Sequence, residues 1–342
     1  MKPIAVIAIG GNSLARPGEQ GTFEEQQRNA AETCQGIADV IQAGYRIVMT
    51  HGNGPQVGQA LLRGELSQPN LPALRLDECD AETEGSIGYL LEQTLENVLA
   101  ARGVEASVAS LITQVVVDSG DPAFDYPTKP IGPFYRLEEA LERQQKLGWK
   151  MVEDAGRGWR RVVPSPRPLE ILELPAIRAG LEAGVIVIAA GGGGIPVVRK
   201  AGRIVGIEAV IDKDRVSSLL ARNLNAELLL FSTAVDQVYW HYGRADRRPL
   251  DTLTREEARR YLDEGEFPAG SMGPKIEAAL EYLEAGGSRV VIASPRILKE
   301  ALNGHAGTEI HEPPQSRVVA APGGTKSAKG GEHVRTTSGG AD

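Results

Sequence analysis

Three short apolar runs, each broken off by glycine, constrain this chain more than any other feature. "IAVIAI" at residues 4–9 ends in Gly-Gly-Asn, "RIVMT" at 46–50 in His-Gly-Asn-Gly-Pro, and "VIVIAA" at 185–190 in four glycines. Runs this short and this rich in β-branched residues read as strands buried on both faces, as in a parallel sheet covered by helices. Helical stretches follow at about 22–43, from about 56, and at 81–101, while "AELLLFS" (226–232) and "SRVVIAS" (288–294) continue the alternation. One further strand is expected over 106–117. Strands alternating with helices imply right-handed βαβ units. The glycine turns would then lie beyond the carboxyl ends of parallel strands, where open α/β sheets bind ligands.

Between 118 and 166 the rhythm changes. "DSGDPAFDYPTKPIGPFY" (118–135) holds four prolines and is expected to be irregular. "WKMVEDAGRGWRRVVPSP" (149–166) has two alternating arms about a glycine turn, a hairpin signal. This stretch reads as a small lid subdomain inserted into a main domain over 1–314. Residues 315–342, rich in Gly, Ser, Thr and Lys, read as a disordered tail. A net charge of −8 argues against a nucleic-acid partner, which needs a clustered basic surface. No apolar run approaches the ~20 residues of a membrane span, and the apolar start is too short for a secretory signal, so a cytoplasmic protein is expected. Cys34 and Cys79 fall in helical contexts and read as buried thiols.

The chemistry rests on glycines and lysines together. Glycine lets backbone N–H groups approach an anion closely, and three such turns at strand ends favour one shared anion site. There is no GxGxxG and no Walker loop, which leaves dinucleotide and P-loop folds unsupported. Lys213 poses a sharper question, because in "AVIDKDRVSSLLA" it stands between two aspartates at a helix start, where the dipole disfavours a cation. Lys129 in "PTKPIGP" and Lys275 in "GSMGPK" are likewise held among glycine and proline. Three cations converging on one point repel each other unless a polyanion, such as a nucleotide triphosphate, lies between them. Asp214 would aim the lysines, and a simple N-cap role for it is compatible with this. No His–Asp or Ser–His arrangement is convincing, and His51 reads as positional.

The segments "GGN", "THGNGPQVG", "DPAFDYPTKPIGPFY", "EDAGRGWRRVVPSP", "AAGGGGIPV", "AVIDKDRVSSLLA" and "GEFPAGSMGPK" together resemble the carbamate kinases of the amino-acid kinase family, in family order over residues 4–311. The resemblance implies a three-layer αβα sandwich around a mainly parallel eight-stranded sheet, a protruding subdomain carrying Lys129, and a homodimer. It implies reversible transfer between ATP and carbamate, giving ADP and carbamoyl phosphate, with Mg2+ bound mainly through the ATP phosphates and no metal-ligating residue named. Lys129, Lys213, Asp214 and Lys275 would be catalytic. Gly10, Gly11, Asn12, Gly52, Asn53, Gly54, Gly192 and Gly193 would hold the phosphoryl group and the acceptor. Thr233, Asp236, Val238, Met272 and Gly273 would hold the nucleotide. Glu82 and Glu84 depart from the pattern by adding negative charge beside the acceptor, and an inward carboxylate there disfavours an anionic acceptor. A kinase of the same fold for another carboxylate or a phosphonate, and a nucleotide-binding regulator without catalysis, stay open as alternatives.

Overall fold

Each glycine-terminated run is a strand of one sheet. The computed structural model describes residues 2–16, 18–154, 156–268 and 270–312. The tail expected at 315–342 lies outside these residues, as does the side chain of Asn12. Strands β1 (Ile4–Ile9), β2 (Arg46–His51), β3 (Val108–Leu111), β4 (Ile186–Ala189), β5 (Leu228–Ser232), β6 (Thr252–Thr254), β7 (Arg289–Ala293) and β8 (Thr308–His311) form the sheet. Their order is β6-β8-β7-β5-β1-β2-β4-β3. From β7 to β3 every pairing is parallel, whereas β8 runs antiparallel to β7.

Alternation along these strands divides the core in two. Val6, Ala8, Val48, Leu229 and Phe231 face one side, and Ala5, Ile7, Ile9, Met49 and Leu230 face the other. The helices are α1 (Phe23–Gln42), α2 (Gly54–Ser67), α3 (Leu76–Ala101), α4 (Leu137–Leu147), α5 (Leu174–Glu182), α6 (Lys213–Leu224), α7 (Arg255–Asp263), α8 (Met272–Glu284) and α9 (Leu298–Leu302). Residues of α5, α6, α7 and α8 cover the first face and those of α1, α3 and α9 the second, which makes the three-layer αβα sandwich. Each fully buried Ile or Leu contributes roughly 1.5–3 kcal/mol of transfer free energy to this arrangement. Helix α1 starts where Thr22 accepts from the Glu25 N–H at 3.3 Å while Glu25 accepts from the Thr22 N–H at 3.0 Å, a capping box.

Two expectations need correction. The strand expected over 106–117 is two strands in different sheets: β3, and Gln114–Val117 in a four-stranded sheet with Pro168–Ile171, Ile195–Lys200 and Arg203–Gly206. The break falls at Thr113, whose buried N–H donates to the Glu84 side chain at 3.0 Å instead of to a neighbouring strand. The proline-rich stretch is not wholly irregular either, because Lys129–Tyr135 forms a strand through Pro130 and Pro133. It is the edge strand of a three-stranded sheet with Trp159–Val163 and Lys150–Glu153, and an edge tolerates the missing N–H groups. The hairpin expected from 149–166 is the antiparallel pair of those two strands. This small sheet rests on α2 through Val57, Ala60, Ile131 and Val163, and Arg143 of α4 grips Glu65 of α2 at 2.6 Å.

Candidate active site

Five strands deliver their carboxyl ends to one edge of the large sheet. Gly10 follows β1, Gly52 follows β2, the Gly191–Gly193 turn follows β4, Thr233 follows β5 and Ser294 follows β7. These ends touch. The Gly10 N–H donates to the Ser232 carbonyl at 3.0 Å, and the Gly52 N–H to the Ile9 carbonyl at 3.0 Å. A Cβ on Gly52 would lie 2.9 Å from the Gly11 nitrogen and 3.5 Å from Cδ of Lys213. Only glycine therefore lets the first two turns and the lysine meet. Gly192 has φ +68°, and a Cβ there would strike the Asn53 amide at 2.2 Å. A Cβ on Gly193 would come within 2.4 Å of the Ile211 carbonyl, just before the Asp-Lys-Asp run. Gly54 opens α2, and Asn12 sits by its backbone in the Gly11–Ser13 turn.

The lysines converge on that run from three elements. Lys213 is the first residue of α6, and its ammonium contacts Asp214. Lys275, in the first turn of α8, reaches the other oxygen of Asp214 at 3.1 Å. Lys129, from the three-stranded sheet, donates to Asp212 at 2.6 Å. Three ammonium groups around two carboxylates leave one formal positive charge at the mouth of a helix. Asp212, not Asp214, is the N-cap: it accepts from the Asp214 N–H at 2.9 Å, which corrects the capping role allowed above for Asp214. Capping and lysine aiming thus fall to different aspartates. Burial alone would raise the Asp212 carboxyl, but Lys129, Lys213 and Lys275 hold it below the ordinary range. Burial lowers the Lys213 ammonium from its usual value, with Asp214 opposing and Lys275 adding to the effect.

The candidate nucleotide residues border this edge unequally. Thr233 lies against Gly10 and donates its N–H to the Ala293 carbonyl at 2.9 Å. Asp236 accepts from the Ser294 hydroxyl. Met272 and Gly273 begin α8, three and two residues before Lys275. Val238 is fully buried in the core, and its N–H donates to the Thr308 hydroxyl at 2.8 Å, so its side chain and amide are already committed.

Sequence reading missed a second cluster. Asp80, Thr83 and Glu84 share one face of α3 and are buried against β2 and the glycine turn. Asn53 donates to Asp80 and to Thr83, each at 3.0 Å. Glu84 accepts from the Gly191 N–H at 2.9 Å and from the Thr113 N–H at 3.0 Å. Burial pushes its carboxyl up to about 8 against those two donors, and pushes Asp80 well above its usual value. Of the two departures, Glu84 points inward and Glu82 outward. His51, also buried, approaches its neighbour's carbonyl with Nδ1 at 3.3 Å, and burial lowers it to about 4, so its ring is neutral near pH 7. The spacing 80, 83, 84, 87 marks a helix face and could have found the cluster, but Glu78 and Glu82 nearby blur it.

Three lysines and three glycine turns thus meet at the carboxyl ends of parallel strands. The family model for the amino acid kinase family matches residues 3–294, and the chain belongs to that family, which makes it a phosphotransferase. Relatives within the family include carbamate kinases. That of Thermococcus kodakarensis is 48% identical over 308 residues, 89% of this chain and 98% of the relative. That of Pyrococcus horikoshii is 47% identical over 307 residues, again 89% and 98%. The solved carbamate kinase from Giardia lamblia bound to AMP-PNP superposes with a TM-score of 0.84 at 41% identity, covering 91% of this chain and 99% of that one. Among the described residues no helix is long and apolar enough to cross a membrane.

Proposed function

We propose that this chain transfers a phosphoryl group reversibly between ATP and carbamate, giving ADP and carbamoyl phosphate. The single observation that carries the reading is Asp214 shared by Lys213 and Lys275 beside the junction of Gly11 and Gly52. Such a pair of aimed ammonium groups can follow a PO3 unit from one oxygen to another, since phosphoryl transfer is mostly positioning and charge stabilisation. A carbamate oxygen attacks the γ-phosphorus, the bond to the β-phosphate oxygen breaks, and ADP leaves. Carbamate is already ionised near pH 7, so no base need remove a proton. The Gly11 amide and Asn12 would hold the moving group, Gly10, whose own amide is spent on the Ser232 carbonyl, would let the turn close on it, and Gly52, Asn53, Gly192 and Gly193 would face the acceptor. Lys129 would close over the phosphates from the lid. Thr233, Asp236, Met272 and Gly273 would border the nucleotide.

Mg2+ fits as a guest of the nucleotide. Among the described residues no group of three or more His, Cys, Asp or Glu side chains could hold a metal ion, and Asp212 and Asp214 are engaged by lysines. Held by phosphate oxygens and waters, the ion would neutralise phosphate charge, with Asp212 and Asp214 the carboxylates within reach. A cytoplasmic homodimer accords with the same reading. The test is direct: mix the protein with ADP, Mg2+ and carbamoyl phosphate and measure ATP. Rapid ATP formation is expected, and none at any protein concentration overturns the proposal.

A further inference from the structure

The side chain of Asn53 can face its surroundings with either end, and its neighbours decide which. Asn53 occupies the N-cap position of α2 yet makes no capping bond, so its amide is committed elsewhere. It is 2% exposed, with Asp80 and Thr83 on one side and the backbone of Gly192 against it on another. The Thr83 hydroxyl has one hydrogen, and the carbonyls of Cys79 and Asp80 take it at 2.9 and 3.0 Å. What Thr83 offers Asn53 is therefore a lone pair. Asp80 offers a carboxyl oxygen. An amide end that meets two acceptors must be the NH2, and both of its hydrogens are then used. The hydrogen bonds of this side chain run through Nδ2, which leaves the carbonyl oxygen Oδ1 without a donor among the described residues.

We infer that Asn53 presents a hydrogen-bond acceptor to the substrate and so selects an acceptor molecule that carries an N–H beside its carboxylate. The inference rests on the function proposed above. The groups at this edge that suit an anion are donors: the lysine ammonium groups and the Gly11 N–H, since the N–H groups of Gly10, Gly52, Gly191 and Gly193 already serve carbonyls or Glu84. They suit the oxygens of a carboxylate and of a phosphoryl group, and they do nothing for an amino group. Carbamate has both kinds of atom. Its oxygens match the donors, and its NH2 matches Asn53 Oδ1. A substrate with a methyl group in that place would leave Oδ1 buried and unpaired. Sites built to bond a polar group reject the analogue lacking it far more strongly than apolar pockets reject a methylene. Asp80 and Thr83 are positioning residues in this account. They never touch the substrate, but they fix which end of the amide does.

Carbamoyl phosphate and acetyl phosphate differ only by NH2 against CH3, and ATP formation from ADP and Mg2+ reads both. The full chain is expected to favour carbamoyl phosphate in kcat/KM by at least about tenfold. In Asn53→Leu the preference should fall toward unity, because carbamoyl phosphate loses more than acetyl phosphate does. Thr83→Val keeps the shape but removes the lone pair, freeing the amide to turn; it should narrow the preference by a smaller factor and serves if Asn53→Leu does not fold. A wild-type ratio near unity, or variants in which both substrates decline in parallel, overturns the inference and leaves the kinase reading intact. Failure of carbamoyl phosphate to give ATP at all removes the kinase reading first, and the inference with it.

Discussion

Two groups of buried carboxylates stand at the same edge of the sheet and behave in opposite ways. Asp214, 4% exposed, is shared by two lysines, and its neighbour Asp212 is held below the ordinary carboxylate range by the cations around it. Asp80 and Glu84, 1% and 4% exposed, have amides and a hydroxyl for company and no cation in contact, and burial drives both upward. Asp212 keeps some exposure, 19% of its side chain, but Asp214 is as buried as Glu84, and what separates the two sides is the cations in contact. A carboxylate beside an ammonium keeps its charge where desolvation would otherwise remove it. The lysine-rich side is thereby a charged device suited to a polyanion. The α3 side is a scaffold whose carboxyls burial pushes toward the neutral form, and it shapes the glycine turn. This also resolves the tension raised by Glu84. It points inward, but a carboxyl with its pKa near 8 is mostly protonated near pH 7.

Breaking the charged side should have the largest effect. Lys213→Ala is expected to lower turnover by a factor of roughly 10²–10³, by analogy with losing one oxyanion donor. Near wild-type turnover in steady-state assays would remove Lys213 from the mechanism. Asp212→Asn should do less. Asparagine caps a helix about as well as aspartate, so α6 should keep its start, while the ion pairing of the carboxylate is lost. Lys129 would lose its carboxylate, and kcat/KM should fall by about tenfold. A collapse in melting temperature without a specific kinetic defect would mean that the cap, and not the grip on Lys129, is what Asp212 contributes.

The charged side was also the more legible in sequence. Lys129, Lys213 and Lys275 each stand among glycine, proline or aspartate, where side-chain direction is constrained, and the structure brings all three to two aspartates. The main strands were legible because a run such as Ile4–Ile9, buried at every position, has no polar face to confuse it. The α3 side was less legible, because Asp80 and Glu84 look like surface acids on a helix with five others of their kind at 77, 78, 82, 92 and 96. The spacing 80, 83, 84, 87 marks the face, but the partners that hold Glu84, Thr113 and Gly191, lie 29 and 107 residues beyond it, and no local pattern names them. The split of 106–117 into two strands failed for the same reason, since Thr113 turns to satisfy Glu84. The edge strand through Pro130 and Pro133 was hidden because proline reads as a breaker wherever the sheet edge is unknown.

The α3 side can be tested by pH. Glu84 has its pKa raised from 4.5 to about 8 in the folded chain, so between those values the folded state holds a proton that the unfolded state has shed. Raising pH through this window therefore lowers stability, by about 1.4 kcal/mol per unit where the difference is one full proton. His51 works the other way: lowered from 6.5 to about 4, it makes the unfolded state bind the extra proton, and stability is lost as pH falls through that range. The two slopes oppose each other from about 4.5 to 6.5, and Glu84 acts without His51 above 6.5. Glu84→Gln should reduce the slope between pH 6.5 and 8 in denaturant titrations, with the raised Asp80 carboxyl leaving its own share. It should also lower stability near pH 6 by about 1–3 kcal/mol, because one amide oxygen cannot serve both the Gly191 and the Thr113 N–H. An unchanged slope would mean that Glu84 keeps its charge despite burial, and the contrast between the two sides would fail. Glu82→Gln, on the exposed side of the same helix, sets the lower limit of these effects. It removes the same charge two residues away, and should change stability by less than about 0.5 kcal/mol and the slope not at all. If both substitutions act alike, the helix responds to charge in general, and the inward direction of Glu84 has no consequence.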